Sequence, residues 1–199
     1  TRLWPGRNPL RLAIDLRGTL NGNLHLLDGK TKTVLFTDMS QDLRDTETML
    51  GILDEAGYII TADPSEAEII VVNTCGFIDS AKEESINTLL EMAQYKEDRC
   101  ELLVAAGCLA QRYKEEITTE IPEVDAVLGT TSYEEIAKAV KTALGGEKMH
   151  VFESIDAPVS PATDRLVTTG GHYAFLKIAE GCDKRCTYCI IPYLRGKFR

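Results

Sequence analysis

No stretch of this 199-residue sequence approaches the ~18 consecutive apolar residues that a membrane helix requires. The patchily apolar stretch 11–27 is interrupted by Asp15 and Arg17, and the chain has no basic-then-apolar start of the signal-peptide kind. A basic surplus is also missing. Twenty-two Lys and Arg stand against 31 Asp and Glu, a net charge of −9, so the chain as a whole offers no generic electrostatic grip on nucleic acid. Histidine is scarce: His25, His150 and His172 show neither ligand nor triad spacing and are read as structural or surface residues. No internal repeat is evident. These absences describe a soluble cytoplasmic protein with no membrane partner.

Forty-four per cent of the residues are apolar, enough to fill a core and to argue against wholesale disorder. Charge is spread unevenly. Residues 1–32 carry six basic and two acidic side chains, a net +4, which leaves −13 for the other 167. The periodic part of the sequence begins at this break.

From 33 to 152, short β-branched runs alternate with amphipathic stretches. Strands are expected at 33–36, 58–60, 67–72, 102–106 and 126–128. Helices are expected at 45–56 (Asp45 as cap), 77–95, 109–117 and 132–144. The second helix is read with Ile78, Ala81, Ile86, Leu89, Leu90 and Ala93 on its inner side. This alternation predicts an α/β fold, an open and mostly parallel sheet flanked by helices. Pro158, Pro161, Gly170 and Gly171 mark 153–171 as a linker. One more strand is expected at 173–179, running into a cysteine cluster. Only ten residues follow Cys189 and the first residue is Thr, so 172–199 is read as the truncated start of a second domain.

The six cysteines are Cys75, Cys100, Cys108, Cys182, Cys186 and Cys189. In a chain of this length with its own core and no export signal, reduced thiols are expected rather than disulfides. Cys182, Cys186 and Cys189 stand as Cys-x3-Cys-x2-Cys in Glu-Gly-Cys-Asp-Lys-Arg-Cys-Thr-Tyr-Cys. Thiolates are soft ligands that select zinc or iron–sulfur clusters. A closed zinc site needs four ligands, and the nearest upstream histidine, His172, lies ten residues away across a strand. Three thiolates on one loop suit a cubane cluster with one iron left open; a zinc knuckle completed from elsewhere is the competing reading. Cys75 and Cys108 each follow an expected strand, on the carboxyl edge where parallel sheets place ligands. Two unrelated buried thiols are the plainer alternative there. Cys100 precedes its strand, on the opposite edge, and is read as an ordinary thiol.

The cluster motif, with Tyr188 before its last cysteine, resembles the radical S-adenosylmethionine signature. The segments Val72–Ile86, Gly107–Tyr113, Ile178–Cys182 and Ile190–Gly196 resemble the methylthiotransferases, most closely the RimO-type branch, over about residues 33–199. The resemblance implies that Cys182, Cys186 and Cys189 bind a 4Fe–4S cluster whose open iron chelates S-adenosyl-L-methionine, with Tyr188 beside the adenine. One electron would cleave that cofactor to a 5′-deoxyadenosyl radical. It implies an auxiliary 4Fe–4S cluster, implicated in sulfur delivery, on Cys75 and Cys108. It also implies β-methylthiolation of an aspartate of the small-subunit ribosomal protein S-twelve, and an electron donor such as flavodoxin or ferredoxin. The MiaB-like sister branch, which acts on tRNA adenosine, more often reads Asn-Thr-Cys-Ser-Val-Arg at the first site. A non-catalytic iron–sulfur-binding fragment is a third reading.

The sequence departs from the family in two places. The third auxiliary cysteine, normally after the first strand, has no counterpart in Thr37–Glu47, where Asp38, Ser40 and Asp42 offer only oxygen. Residues 1–32 match nothing in the family. An upstream reading-frame or start difference accounts for both departures, and a basic arm against ribosomal RNA is the alternative for the second. With only the start of the barrel in hand, the 199-residue chain is expected to be inactive by itself.

Overall fold

The computed structural model describes residues 33–38, 43–158, 165–168 and 174–199. The basic segment 1–32, the oxygen donors Ser40 and Asp42, and His172 lie outside the described residues.

Among the described residues, six strands form one parallel sheet: β1 (Thr33–Asp38), β2 (Ile59–Thr61), β3 (Ile69–Thr74), β4 (Leu102–Gly107), β5 (Val124–Leu128) and β6 (Met149–Val151). Their spatial order is β2-β1-β3-β4-β5-β6, with every pairing parallel. The chain first moves outward to β2, then crosses back to β3. The order therefore reverses between β1 and β3, and open α/β sheets place ligands at the carboxyl edge beside such a switch point.

Two-residue periodicity explains how the sheet is covered. Ile69, Val71, Leu102, Val104 and Ala106 face one layer with Met49, Leu50 and Leu53 of α1 (Leu43–Glu55) and Ile136, Ala139 and Val140 of α5 (Ile136–Ala143). The alternate residues Ile70, Val72, Leu103 and Ala105 face the other. There they meet Leu89, Met92 and Ala93 of α2 (Asp79–Ala93), Leu109 and Ala110 of α3 (Cys108–Arg112), and Ile117 of α4 (Lys114–Glu120). With both faces apolar, the central strands read as continuous hydrophobic runs, which is how buried parallel strands appear in a sequence.

Several local expectations are corrected. The inner stripe of α2 runs through Ser85, Leu89, Met92 and Ala93, whereas Ile78, Ile86 and Leu90 are exposed. A serine holds the core position because the turn above it needs a hydroxyl, as described below. The helix expected at 109–117 is two short helices that break at Tyr113, whose ψ of 37° is not helical. Strand β6 has no sequence signature: Met-His-Val is short, its His150 is exposed, and only pairing with β5 defines it. Residues 174–180 form no strand. A short helix, α6 (Ile191–Leu194), follows the cysteine loop. Among the described residues no helix is long and apolar enough to cross a membrane.

Candidate iron–sulfur site at the carboxyl edge of the sheet

Cys75 leaves the end of β3, and Cys108 opens α3 at the end of the neighbouring β4. Both are half-buried. Ser85 of α2 fixes the first by its backbone: its Oγ accepts from Cys75 N–H at 3.0 Å and donates to Cys75 C=O at 3.2 Å. Thr74 Oγ1 donates to Ala106 C=O at 2.6 Å and accepts from Ala110 N–H at 3.3 Å, tying the two strand ends together.

Two glycines allow this close approach. Gly107 adopts φ +96°, ψ −154°, a region essentially reserved for glycine. A Cβ there would lie 2.6 Å from both Asn73 Oδ1 and Thr74 O. A Cβ on Gly76 would lie 2.9 Å from the Cys108 backbone, so the turn after Cys75 rests directly on the residue carrying the second thiol.

Cys182, Cys186 and Cys189 occupy a loop closed at its base. Glu180 and Arg199 exchange backbone hydrogen bonds at 2.9 and 3.0 Å, and Cys182 N–H donates to Gly196 C=O at 3.0 Å. Within the loop, Cys189 N–H donates to Cys186 C=O at 3.0 Å. Cys186 is exposed, Cys182 and Cys189 half-buried, and Tyr188 is almost fully exposed beside them. Among the described residues no three His, Cys, Asp or Glu side chains converge in a metal-holding arrangement. The donor chemistry nevertheless fits. Three soft, accessible thiols on one hydrogen-bonded loop suit a thiolate-held iron cluster, which characteristically draws its ligands together as it binds. At the sheet edge the structure juxtaposes two cysteine turns. Cys100 lies at the other end of β4, buried, its thiol donating to Leu102 C=O at 3.3 Å. Burial pushes that thiol up, and it belongs to the core.

Four charged side chains that the motif reading assigned no such role join the two regions. Asp45 lies in the first turn of α1, nearly buried, and is not the helix cap expected from sequence. Its carboxylate accepts from Lys177 Nζ at 2.9 Å and Arg195 Nη1 at 2.8 Å. Glu180 pairs with the same two cations, closing a ring of alternating sign. Burial would raise the Asp45 carboxyl, but Lys177 and Arg195 outweigh it and hold it below the ordinary carboxylate value. Arg195 Nε also donates to Cys108 Sγ at 3.4 Å, so one guanidinium touches both the ring and the sheet-edge thiol. Glu47, fully buried, accepts from Thr168 N–H at 2.8 Å and faces Arg165 Nη1 at 3.2 Å, anchoring residues 165–168. The sequence did carry a signal for Asp45: it lies in helical register with the buried Met49 and Leu53, where a carboxylate needs a partner.

Residues 40–129 match the family described as "Uncharacterized protein family UPF0004". The chain is 58% identical over 160 residues to "Ribosomal protein uS12 methylthiotransferase RimO" of Lachnoclostridium phytofermentans, covering 80% of this chain and 36% of that protein. It is 54% identical over 166 residues to the same-named protein of Acetivibrio thermocellus, covering 80% and 37%. A third, from Anaeromyxobacter sp., is 53% identical over 153 residues, covering 76% and 32%.

Over four-fifths of its length the chain is similar to proteins named RimO. It spans a little over a third of the length of the first two of these relatives.

Proposed function

We propose that this chain supplies the cluster-binding part of a radical S-adenosylmethionine methylthiotransferase. The whole protein converts a C–H bond of an aspartate in ribosomal protein uS12 to C–S–CH3. The observation that carries this reading is the Cys-x3-Cys-x2-Cys loop, anchored through Arg195 to the sheet edge that presents Cys75 and Cys108. Cys182, Cys186 and Cys189 would hold one 4Fe–4S cluster, with Tyr188 beside S-adenosylmethionine, and Cys75 and Cys108 would supply two thiolates to an auxiliary cluster. When bound, the first cluster supplies the single-electron reduction that makes S-adenosylmethionine a radical source. The chain's own residues do the positioning. Ser85 and Thr74 set the Cys75 turn, Gly107 admits the approach of Cys108, and the buried ring keeps the loop seated. An acceptor in a ribosomal protein implies a cytoplasmic enzyme, served by a small electron carrier of the flavodoxin or ferredoxin kind. The relatives' names favour the protein substrate over tRNA adenosine.

Iron and acid-labile sulfide after anaerobic reconstitution test the proposal, in the parent chain and in a C182A/C186A/C189A variant. About four irons in the parent and none in the variant assign the loop cluster alone. About eight falling to four assign both clusters, and no bound iron in the parent refutes the reading.

A further inference from the structure

A groove of about 490 Å3 opens between the two cysteine regions. Phe77, from the turn after Cys75, and Tyr188 and Tyr193, from the cysteine loop and α6, form aromatic walls, and Cys189 is at the rim. All three aromatics are exposed, Tyr188 at 90% and Tyr193 at 67%. Lys82 of α2 and Arg112 at the end of α3 bring two cations into the same wall. Arg112 is one helical turn beyond Cys108, and its guanidinium lies 4.9 Å from the centre of the Tyr113 ring. Lys82 is held by Asp79 at 2.5 Å, and Asp79 is itself 97% exposed.

We infer that this groove binds the acidic side chain of the polypeptide substrate, with Lys82 and Arg112 recognising the carboxylate and Phe77 and Tyr193 gripping the flanking backbone. The inference rests on the function proposed above and adds to it where the acceptor sits and what reads its charge. Three observations carry it. The groove touches both cysteine regions, so a group held there is adjacent to the loop ligand Cys189 and to the turn following Cys75. Exposed aromatics beside an arginine are the composition of a recognition surface, because aromatic rings bury large area at low entropic cost while a guanidinium orients a carboxylate. The charge is local. Two cations suffice for one carboxylate, whereas a chain of net −9 repels an extended polyphosphate. Asp79 occupies Lys82 as a competing carboxylate, and an incoming acid would displace it.

Fluorescence anisotropy on the full chain tests this with a labelled peptide spanning the acceptor aspartate of uS12 and with its Asp→Asn counterpart. The aspartate peptide should bind roughly tenfold more tightly than the asparagine peptide, the scale of one charge-assisted contact. K82Q and R112Q should each remove most of that preference without weakening the asparagine peptide, whereas Y193A should weaken both. D79N should tighten the aspartate peptide about threefold by freeing Lys82, a gain that a merely structural role would not produce. Equal binding of the two peptides, no binding of either, or indifference to K82Q and R112Q overturns the inference. Displacement by S-adenosylmethionine overturns it too, by assigning the carboxylate site to the cofactor, as does tighter binding of a tRNA anticodon-stem oligonucleotide. Iron loading does not depend on these contacts. A chain that loads iron but fails the peptide test refutes the groove alone, and one that loads none refutes the underlying function.

Discussion

Removing the Asp45 charge should unseat the cysteine loop from the sheet edge. The carboxylate is 92% withdrawn from solvent and contacts Lys177 at 2.9 Å and Arg195 at 2.8 Å, each also largely buried. At an effective dielectric near 20, each contact is worth about 6 kcal/mol of gross Coulomb energy, most of it offset by desolvation. The intact ring thus adds little net stability, but breaking it is expensive because two buried cations lose an anion. Glu180 still pairs with both cations, so D45N should cost about 3 kcal/mol, the low end for a broken buried pair. With a urea dependence of about 2 kcal/mol per molar, the unfolding midpoint should fall by roughly 1.5 M. The folded-state carboxyl is depressed, so the parent's advantage over D45N should be fully present above about pH 4 and lost as pH falls through the depressed value. A D45N/R195Q double variant should lose less than the sum of the singles. A midpoint shift under about 0.3 M, strict additivity, or a stability difference that persists in acid would refute the reasoning.

G107A should be among the most damaging single changes, costing about 3 kcal/mol or more. Its Cβ collides with Asn73, whose side chain is held by Thr46 at 2.8 Å, and with the Thr74 backbone. Loss of soluble expression or a large drop in the urea midpoint checks it. T130V removes the buried hydroxyl that donates to Leu194 C=O at 2.6 Å and should cost about 1–3 kcal/mol. Faster tryptic cleavage at Arg195 and Lys197 should accompany it, because that bond seats α6.

Much of the fold was legible because a parallel sheet covered on both faces demands continuous apolar strands such as Ile69–Val72 and Leu102–Ala106. The closed loop between Glu180 and Arg199 coincides with the cysteine motif, since Cys182, Cys186 and Cys189 are local in sequence. Apolarity alone points to the wrong face of α2. Ile86 and Leu90 suggested an inner stripe by apolarity, while the residue on the core side is Ser85, selected by its hydrogen bonds to Cys75. Strand β6 is not legible in the sequence because an edge strand of three residues carries too little pattern.

By itself, then, the sequence determined the α/β class, the placement of Cys75 and Cys108 at strand ends, the Cys182–Cys189 motif and its family. Periodicity and short-range spacing are properties of the chain before it folds. Only the tertiary structure decided that Asp45, Lys177, Glu180 and Arg195 form one buried ring reaching Cys108, and that Lys82 and Arg112 share a groove with Tyr188. Those partners lie up to 150 residues apart. No local pattern encodes which distant charge compensates a buried one; only the folded packing does.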